Sequence, residues 1–169
     1  DVQKVNTHGG SIRCVVKNSE DLREINDSVK TFVDLEKSLF FDKSETFLNF
    51  AHQIKERKKE LNKFLYKIKS EGKSIAGFGA PAKATTLMYE FGLDNDILDF
   101  IVDDSPLKQG LFSPGLNIPI YSSSYIDILK PDYLLILAWN FSDSIINKNQ
   151  KFQESGGKFI VPLPKFEVI

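Results

Sequence analysis

The apolar positions of this chain change their period along its length. Ser11-Ile-Arg-Cys-Val-Val16 alternates and turns β-branched at its end, which predicts a strand finishing near Asn18. Ser19 then offers an N-cap, with Glu20 and Asp21 favourably placed at the positive end of a helix. Leu22, Ile25, Val29, Phe32 and Val33 recur at helical spacing and carry that helix to about Leu39. Asp42-Lys-Ser44 breaks it. A second helix from about Glu45 places Phe47, Phe50, Ala51, Ile54, Leu61, Phe64, Leu65 and Ile68 along one stripe. It stops near Glu71-Gly72, where glycine takes the left-handed conformation that ends helices.

From Lys73 onward short apolar runs alternate with helical stretches. The pattern predicts a strand over 74–79, a helix over 81–91 and a strand over 97–102. A proline- and glycine-rich loop over 105–117 follows, then a short strand 118–120 and a helix capped near Ser123. Strand 133–137, helix 141–154, the pair Gly156-Gly157 and strand 159–161 complete the chain. Strands apolar on both faces belong in a parallel sheet covered by helices. The expected fold is therefore α/β: a Rossmann-like, mostly parallel sheet flanked by helices and preceded by a strand and two long helices.

Gly77-Phe-Gly79-Ala-Pro-Ala82 fits the G-x-G-x-x-G/A form directly after a strand and at the opening of a helix. Gly77 is expected to allow the tight turn, Gly79 to let the backbone approach a ligand, and Ala82 to let helix pack on strand. Pro81 suits the first helical position. Lys83 departs from the pattern, because a cation in the first turn opposes the helix dipole by up to about 1 kcal/mol. An anionic ligand reverses that sign; a lysine that reaches solvent needs none. Asp103 closes the next strand, where the ribose partner of a dinucleotide or of S-adenosylmethionine sits; equally, Asp103 and Asp104 cap a loop. Lys108 lies in the polar loop at the carboxyl side of the sheet, and Trp139 and Asn140 follow a strand toward the same rim. Trp139 is either a stacking surface for a base or sugar or a lid on the core. His8-Gly-Gly-Ser-Ile-Arg13 offers an imidazole and a guanidinium but no acid to orient His8, so it is no triad. His52, mid-helix, reads as structural.

Bulk properties narrow the field. The 169 residues are 41% hydrophobic and 27% charged, with 14 phenylalanines at core-like spacing, as expected of one globular domain with an appended arm. A formal charge of −1 gives no electrostatic case for nucleic acid or an anionic membrane. Lys55-Glu-Arg-Lys-Lys59 is balanced by Glu56 and Glu60 and reads as a solvated helix face. A single cysteine, Cys14, excludes an internal disulfide and a cysteine metal cluster, and His8 and His52 add too little for zinc. With no apolar run of spanning length and no signal peptide, the expected location is cytoplasmic. Opening on Asp1, the chain reads as a piece of something longer.

His8-Gly-Gly-Ser-Ile-Arg13, Gly77-Phe-Gly-Ala-Pro-Ala-Lys83, Val102-Asp103, Lys108-Gln-Gly110, Pro114-Gly115, Ile118-Pro-Ile120, Ala138-Trp-Asn140 and Gly156-Gly-Lys-Phe-Ile-Val161 occur here in one order. Together they resemble the C-terminal domain of the S-adenosylmethionine-dependent sugar C-methyltransferases, over nearly the whole chain. The resemblance implies a parent enzyme with a zinc-binding domain, then a domain that holds S-adenosylmethionine, then this one, with a nucleotide-diphosphate sugar between the last two. It implies proton abstraction at the carbon next to a ketone, typically C-3 of a 4-keto hexose, and transfer of a methyl group to the enolate. Residues 1–18 would be the terminal strand of the methyltransferase domain, 19–72 a helical connection packing on the sheet, and 73–169 the Rossmann-like domain. The residues implied to bind the sugar nucleotide are His8, Arg13, Gly79, Ala80, Ala82, Lys83, Lys108, Trp139 and Asn140. No metal site, no cofactor site and no catalytic base is expected within the chain, which alone should be inactive. The alternative is an independent module that holds NAD or S-adenosylmethionine through Gly77, Gly79 and Asp103. Ala84 stands where the family usually has glycine, Leu116 where threonine is common, and Asp104-Ser105 where arginine-asparagine is common.

Overall fold

The computed structural model describes all residues 1–169, in two compact units, Asp1–Lys55 and Glu56–Ile169. In the first, β1 (Val2–Val5) and β2 (Ser11–Cys14) form an antiparallel hairpin with Val2 opposite Cys14. The strand expected to finish near Asn18 ends at Cys14 and is the second arm of a hairpin. Its partner, Val2–Val5, was too short to show a period.

Helix α1 (Asp27–Ser38) begins later than the Ser19 cap predicts. Residues 17–25 use their polar groups on one another instead. Lys17 donates to the carbonyls of Asp21 and Arg23, and the Asp21 carboxylate takes the Arg23 N–H and guanidinium. Such local bonds compete with helix. The cap is Asn26, whose side-chain oxygen accepts the Ser28 N–H at 3.1 Å. Leu22 and Ile25, expected on the helix stripe, are exposed before it starts. Ser28 ties α1 to the hairpin: its hydroxyl accepts the Val2 N–H at 3.0 Å and donates to Asp1 at 2.8 Å. No residue of this unit is fully buried.

Helix α2 (Ser44–Ser70) begins in the first unit and ends in the second. Its last part buries Leu61, Leu65 and Ile68, one face at i, i+4, i+7. Each such burial contributes roughly 1.5–3 kcal/mol. Gly72 stops it at φ 75°, and the Lys73 N–H returns to the Ile68 carbonyl at 3.0 Å.

The second unit continues with β3 (Ile75–Phe78), α3 (Ala82–Phe91), β4 (Phe100–Val102), β5 (Ile120–Tyr121) and α4 (Tyr125–Leu129). It ends with β6 (Tyr133–Ile136), a 3-10 turn at Trp139–Phe141, α5 (Ser142–Lys148), α6 (Gln150–Glu154), β7 (Lys158–Val161) and β8 (Glu167–Val168). The predicted helix over 141–154 is broken at Asn149, whose side chain donates to the Ile145 carbonyl at 2.7 Å. The 118–120 strand shifts to Ile120–Tyr121. Pro119 has no N–H for a ladder.

The sheet order is β5-β4-β3-β6-β7-β8, every pair parallel except β7 with β8. Counted from β3, that is the Rossmann order with a reversed last strand, and the expected α/β architecture is the observed one. From β3 the chain runs outward to β4 and β5, then crosses back through α4 to β6 on the other side of β3. Ligands of open α/β sheets bind at such a switch point, beyond the carboxyl ends of the strands.

At the opposite end, the Asp132 carboxylate accepts the Ser74 N–H and hydroxyl, both at 2.9 Å, and the Lys73 ammonium at 3.0 Å. Ser74 Oγ accepts the Asp132 N–H in return, so the starts of β3 and β6 are stapled together. The Ser74 N–H, with Lys73 beside it, lowers the Asp132 pKa to about 2. The staple is therefore complete above the ordinary value of 3.8 and is lost as pH falls toward about 2. Asp132→Asn should flatten the stability profile across that window in urea titrations, and parallel wild-type and variant profiles would refute the assignment.

Candidate functional site

The switch-point rim is built on the turn after β3. Gly79 carries its positive φ, 90°, and its N–H donates to the Val102 carbonyl at 2.7 Å. A Cβ on Gly79 would stand 2.7 Å from the Ala138 Cβ, so the turn and the end of β6 touch through the missing side chain. Gly77 has a different part from the one expected. It lies inside β3, and a Cβ there would meet Leu137 Cδ1 at 2.7 Å and Ile101 Cγ1 at 3.1 Å. It makes room for core side chains and does not form the turn. Ala82 is also corrected: it is exposed, and the buried Ala84 is the small residue that packs α3.

Pro81 occupies the N-cap position and α3 starts at Ala82. Helices leave their first N–H groups without internal acceptors. Lys83 lies in this first turn, half-buried, with its ammonium 4.7 Å from the Trp139 ring centroid and 5.6 Å from that of Phe141. Both aromatics belong to the 3-10 turn after β6, so the adjacency of β3 and β6 brings cation and rings together. Burial pushes the Lys83 pKa down. The rings offset part of that cost, since a cation over an aromatic face gains about 0.5–2 kcal/mol. Sequence reasoning named Lys83 and Trp139 but missed Phe141; its position two residues after Trp139 was the available signal.

Asp103, at the end of β4, is 7% exposed. Its Oδ2 accepts the Ala80 N–H at 2.6 Å and the Lys108 ammonium at 3.1 Å, and its Oδ1 accepts the Ser105 N–H at 2.8 Å. Burial pushes this carboxyl up, but the Ala80 and Ser105 N–H groups and Lys108 together outweigh it and hold the pKa below the ordinary carboxylate value. The carboxylate is turned onto its own turn and loop. The N–H of Ala80, a residue the resemblance implies in sugar-nucleotide binding, is donated to Asp103.

Between the β3–α3 turn and the loop over 105–117 lies a cleft of about 250 Å³. Ala80, Ala82 and Met88 line one wall, and Lys108, Phe112 and Pro114 the other. The loop is ordered by its own bonds, including the Gly110 N–H to the Ile120 carbonyl at 2.8 Å and the Ile118 N–H to Ser113 Oγ at 3.0 Å. Asn140 is half-buried in the 3-10 turn beside Trp139.

Gly79, Ala80, Ala82, Lys83, Lys108, Trp139 and Asn140 all lie on the second unit, in two groups: Ala80, Ala82 and Lys108 line the cleft, while Lys83 meets Trp139, beside Asn140, outside its lining. His8 and Arg13 belong to the first unit. His8 sits in the left-handed region (φ 52°) in the hairpin turn, followed by Gly9 and Gly10, and Arg13 is exposed on β2. His52 is exposed on α2. No group of three or more His, Cys, Asp or Glu side chains is placed to hold a metal, and no helix is long and apolar enough to cross a membrane.

A mostly parallel sheet in Rossmann order, with a glycine turn, a first-turn lysine and an aromatic turn across the switch point, defines the class as a Rossmann-like α/β domain, and its sequence specifies the family. Residues 6–164 match the C-methyltransferase C-terminal domain family, to which this chain belongs. Over all 169 residues it is 34% identical to the C-methyltransferase NovU of Streptomyces niveus. The chain spans 40% of the length of that relative.

Proposed function

We propose that this chain is the substrate-binding C-terminal domain of an S-adenosylmethionine-dependent C-methyltransferase acting on a nucleotide-linked deoxysugar in the cytoplasm. The observation that carries the reading is Lys83. A lysine in the first turn of a helix opposes the dipole, and this one is also partly desolvated against Trp139 and Phe141. An anionic group at that helix end removes both penalties, and a diphosphate is the anion a sugar nucleotide brings. Trp139 and Asn140 then flank the sugar or base, and Lys108 lines the cleft between the same glycine turn and the 105–117 loop.

S-adenosylmethionine, bound by a part of the enzyme outside this chain, supplies the methyl group. The residues here do not fit that cofactor or NAD, because the Asp103 carboxylate that would take the ribose hydroxyls is committed to Ala80, Ser105 and Lys108. Zinc has no ligand cluster here either and belongs to the parent's N-terminal domain. The methyltransferase domain is the partner of the first unit, whose own packing buries no side chain and leaves Val16, Phe40, Phe47 and Phe50 exposed. The chain alone holds no catalytic centre.

Titrating a thymidine-diphosphate sugar into the intact enzyme tests this. Lys83→Ala should weaken binding about ten-fold or more, the scale of one charge-assisted contact. Unchanged affinity removes Lys83 from the site. Calorimetric titration of the chain with NAD and with S-adenosylmethionine should give no heat, and tight binding of either favours an independent dinucleotide module.

A further inference from the structure

We propose that Asp103 is the positioning residue of this site: its carboxylate holds the glycine turn and the 105–117 loop together, and so sets the width of the cleft between them. The inference rests on the reading of that cleft as part of the sugar-nucleotide site.

The geometry is that of a clamp with one jaw on each wall. Ala80, which lines one wall, gives its N–H to Oδ2. Lys108, which lines the other, gives its ammonium to the same oxygen, and Ser105 at the base of the loop gives its N–H to Oδ1. The backbone carbonyl of Asp103 accepts Gln109 Nε2 at 3.0 Å, a further tie to the same loop. The wall-to-wall link is part-buried: the side chain of Asp103 is only 10% exposed and that of Lys108 38%. Hydrogen bonds to a buried ionised group are among the stronger ones in proteins.

Tyr89 of α3 also packs on the loop, where a Cβ at Gly115 would stand 1.8 Å from its hydroxyl, but that contact lies away from Ala80 in sequence and carries no charge. The loop is otherwise ordered through β5 and its own turn, by the bonds of Gly110, Leu111 and Ser113 to residues 118–120. Those bonds shape the loop without reaching Ala80. Asp103 therefore acts on the cleft through the position of Ala80 and Lys108. When the clamp is weakened, the binding-competent width becomes one of several states, and the apparent affinity falls by the fraction lost.

Asparagine at this position offers one acceptor oxygen where the carboxylate uses two, and leaves Lys108 without its counter-charge. In the intact enzyme, Asp103→Asn should raise the dissociation constant for a thymidine-diphosphate sugar about ten-fold, and Lys108→Met about three-fold. The two effects should be less than additive in the double variant. Amide exchange at Ala80 and Ser105 should speed up in Asp103→Asn. Asp104→Asn, which removes only the surface pair with Lys148, should leave affinity unchanged and serves as the neighbouring control.

A merely structural Asp103 would lower the melting temperature and the bound stoichiometry while leaving the dissociation constant of the folded fraction intact. Should Asp103→Asn fail to fold, Lys108→Met, on a part-exposed side chain, carries the test through faster amide exchange at Ala80 and Ser105 in the unliganded enzyme, a readout that loss of a direct ligand contact would not move. Affinity within two-fold of wild type in the folded variants, with Lys83→Ala still impaired, overturns the clamp alone. Unchanged affinity in Lys83→Ala as well overturns the sugar-nucleotide reading and the clamp with it.

Discussion

Gly79→Ala is expected to destabilise the protein by about 2–4 kcal/mol, of which strain and collision each supply a part. The backbone at Gly79 has φ 90°, which an L-residue reaches only at a cost of about 1–2 kcal/mol or more. The new methyl group would lie 2.7 Å from the Ala138 Cβ, a distance that real Cβ atoms do not tolerate. Neither partner is a flexible side-chain end, so the backbone after β3 or after β6 must move. Relieving such overpacking costs about 1–3 kcal/mol. Thermal unfolding should register a drop of roughly 4–16 °C, at about 2–4 °C per kcal/mol for a chain of this size. The double variant Gly79→Ala with Ala138→Gly separates the parts: it removes the collision and keeps the strain, and should recover some of the loss. A melting temperature equal to wild type in the single variant would refute this account of the turn.

Phe159→Ala should have the larger effect, about 3–5 kcal/mol. Phe159 is fully buried at the middle of β7, opposite Leu134 of β6, and its ring meets Phe152 of α6 edge-on at 5.3 Å. Phe152 in turn lies so close to Gly157 that a Cβ there would sit 2.3 Å from its ring. The surroundings are therefore held from several directions and have little freedom to collapse into the space the ring leaves. Phe159→Leu keeps most of the volume and should cost about 1 kcal/mol. Against a typical total stability of about 5–15 kcal/mol, urea titration resolves the two variants easily. Equal midpoints for Phe159→Ala and Phe159→Leu would mean that the site repacks and that the pair with Phe152 contributes little.

The strands that form the centre of the sheet were legible because they are apolar on both faces, a pattern that only burial on both sides explains. Ile75–Phe78, Phe100–Val102, Tyr133–Ile136 and Lys158–Val161 all came out within a few residues of expectation. The elements that were missed are those fixed by partners distant in sequence. Val2–Val5 and Glu167–Val168 have no periodicity of their own and exist because another strand is beside them. The start of α1 was misplaced because Lys17, Asp21 and Arg23 bond among themselves, a contest that propensities at Ser19 do not register. At the site the residue types were readable but their pairings were not. The sequence marks Asp103 as a carboxylate at a strand end; the register of β3 against β4 decides that it meets the Ala80 N–H. Likewise Lys83 and Trp139 are far apart in sequence and meet because β6 lies next to β3. The two glycines of G-x-G look alike in sequence, and only φ and neighbours distinguish the turn-forming Gly79 from Gly77 inside β3.

The two outermost strands of the main sheet, Ile120–Tyr121 and Glu167–Val168, are each two residues long. A sheet border presents unpaired N–H and C=O groups to any passing chain, and long apolar borders invite edge-to-edge growth. Here the long apolar ribbons β3, β6 and β7 are all interior, and the borders offer a foreign strand almost nothing to zip against. At one of them Glu167 adds a charge that a second copy would have to bury. The brief C-terminal strand thus insulates Phe159, Ile160 and Val161 from recruitment into intermolecular β-structure.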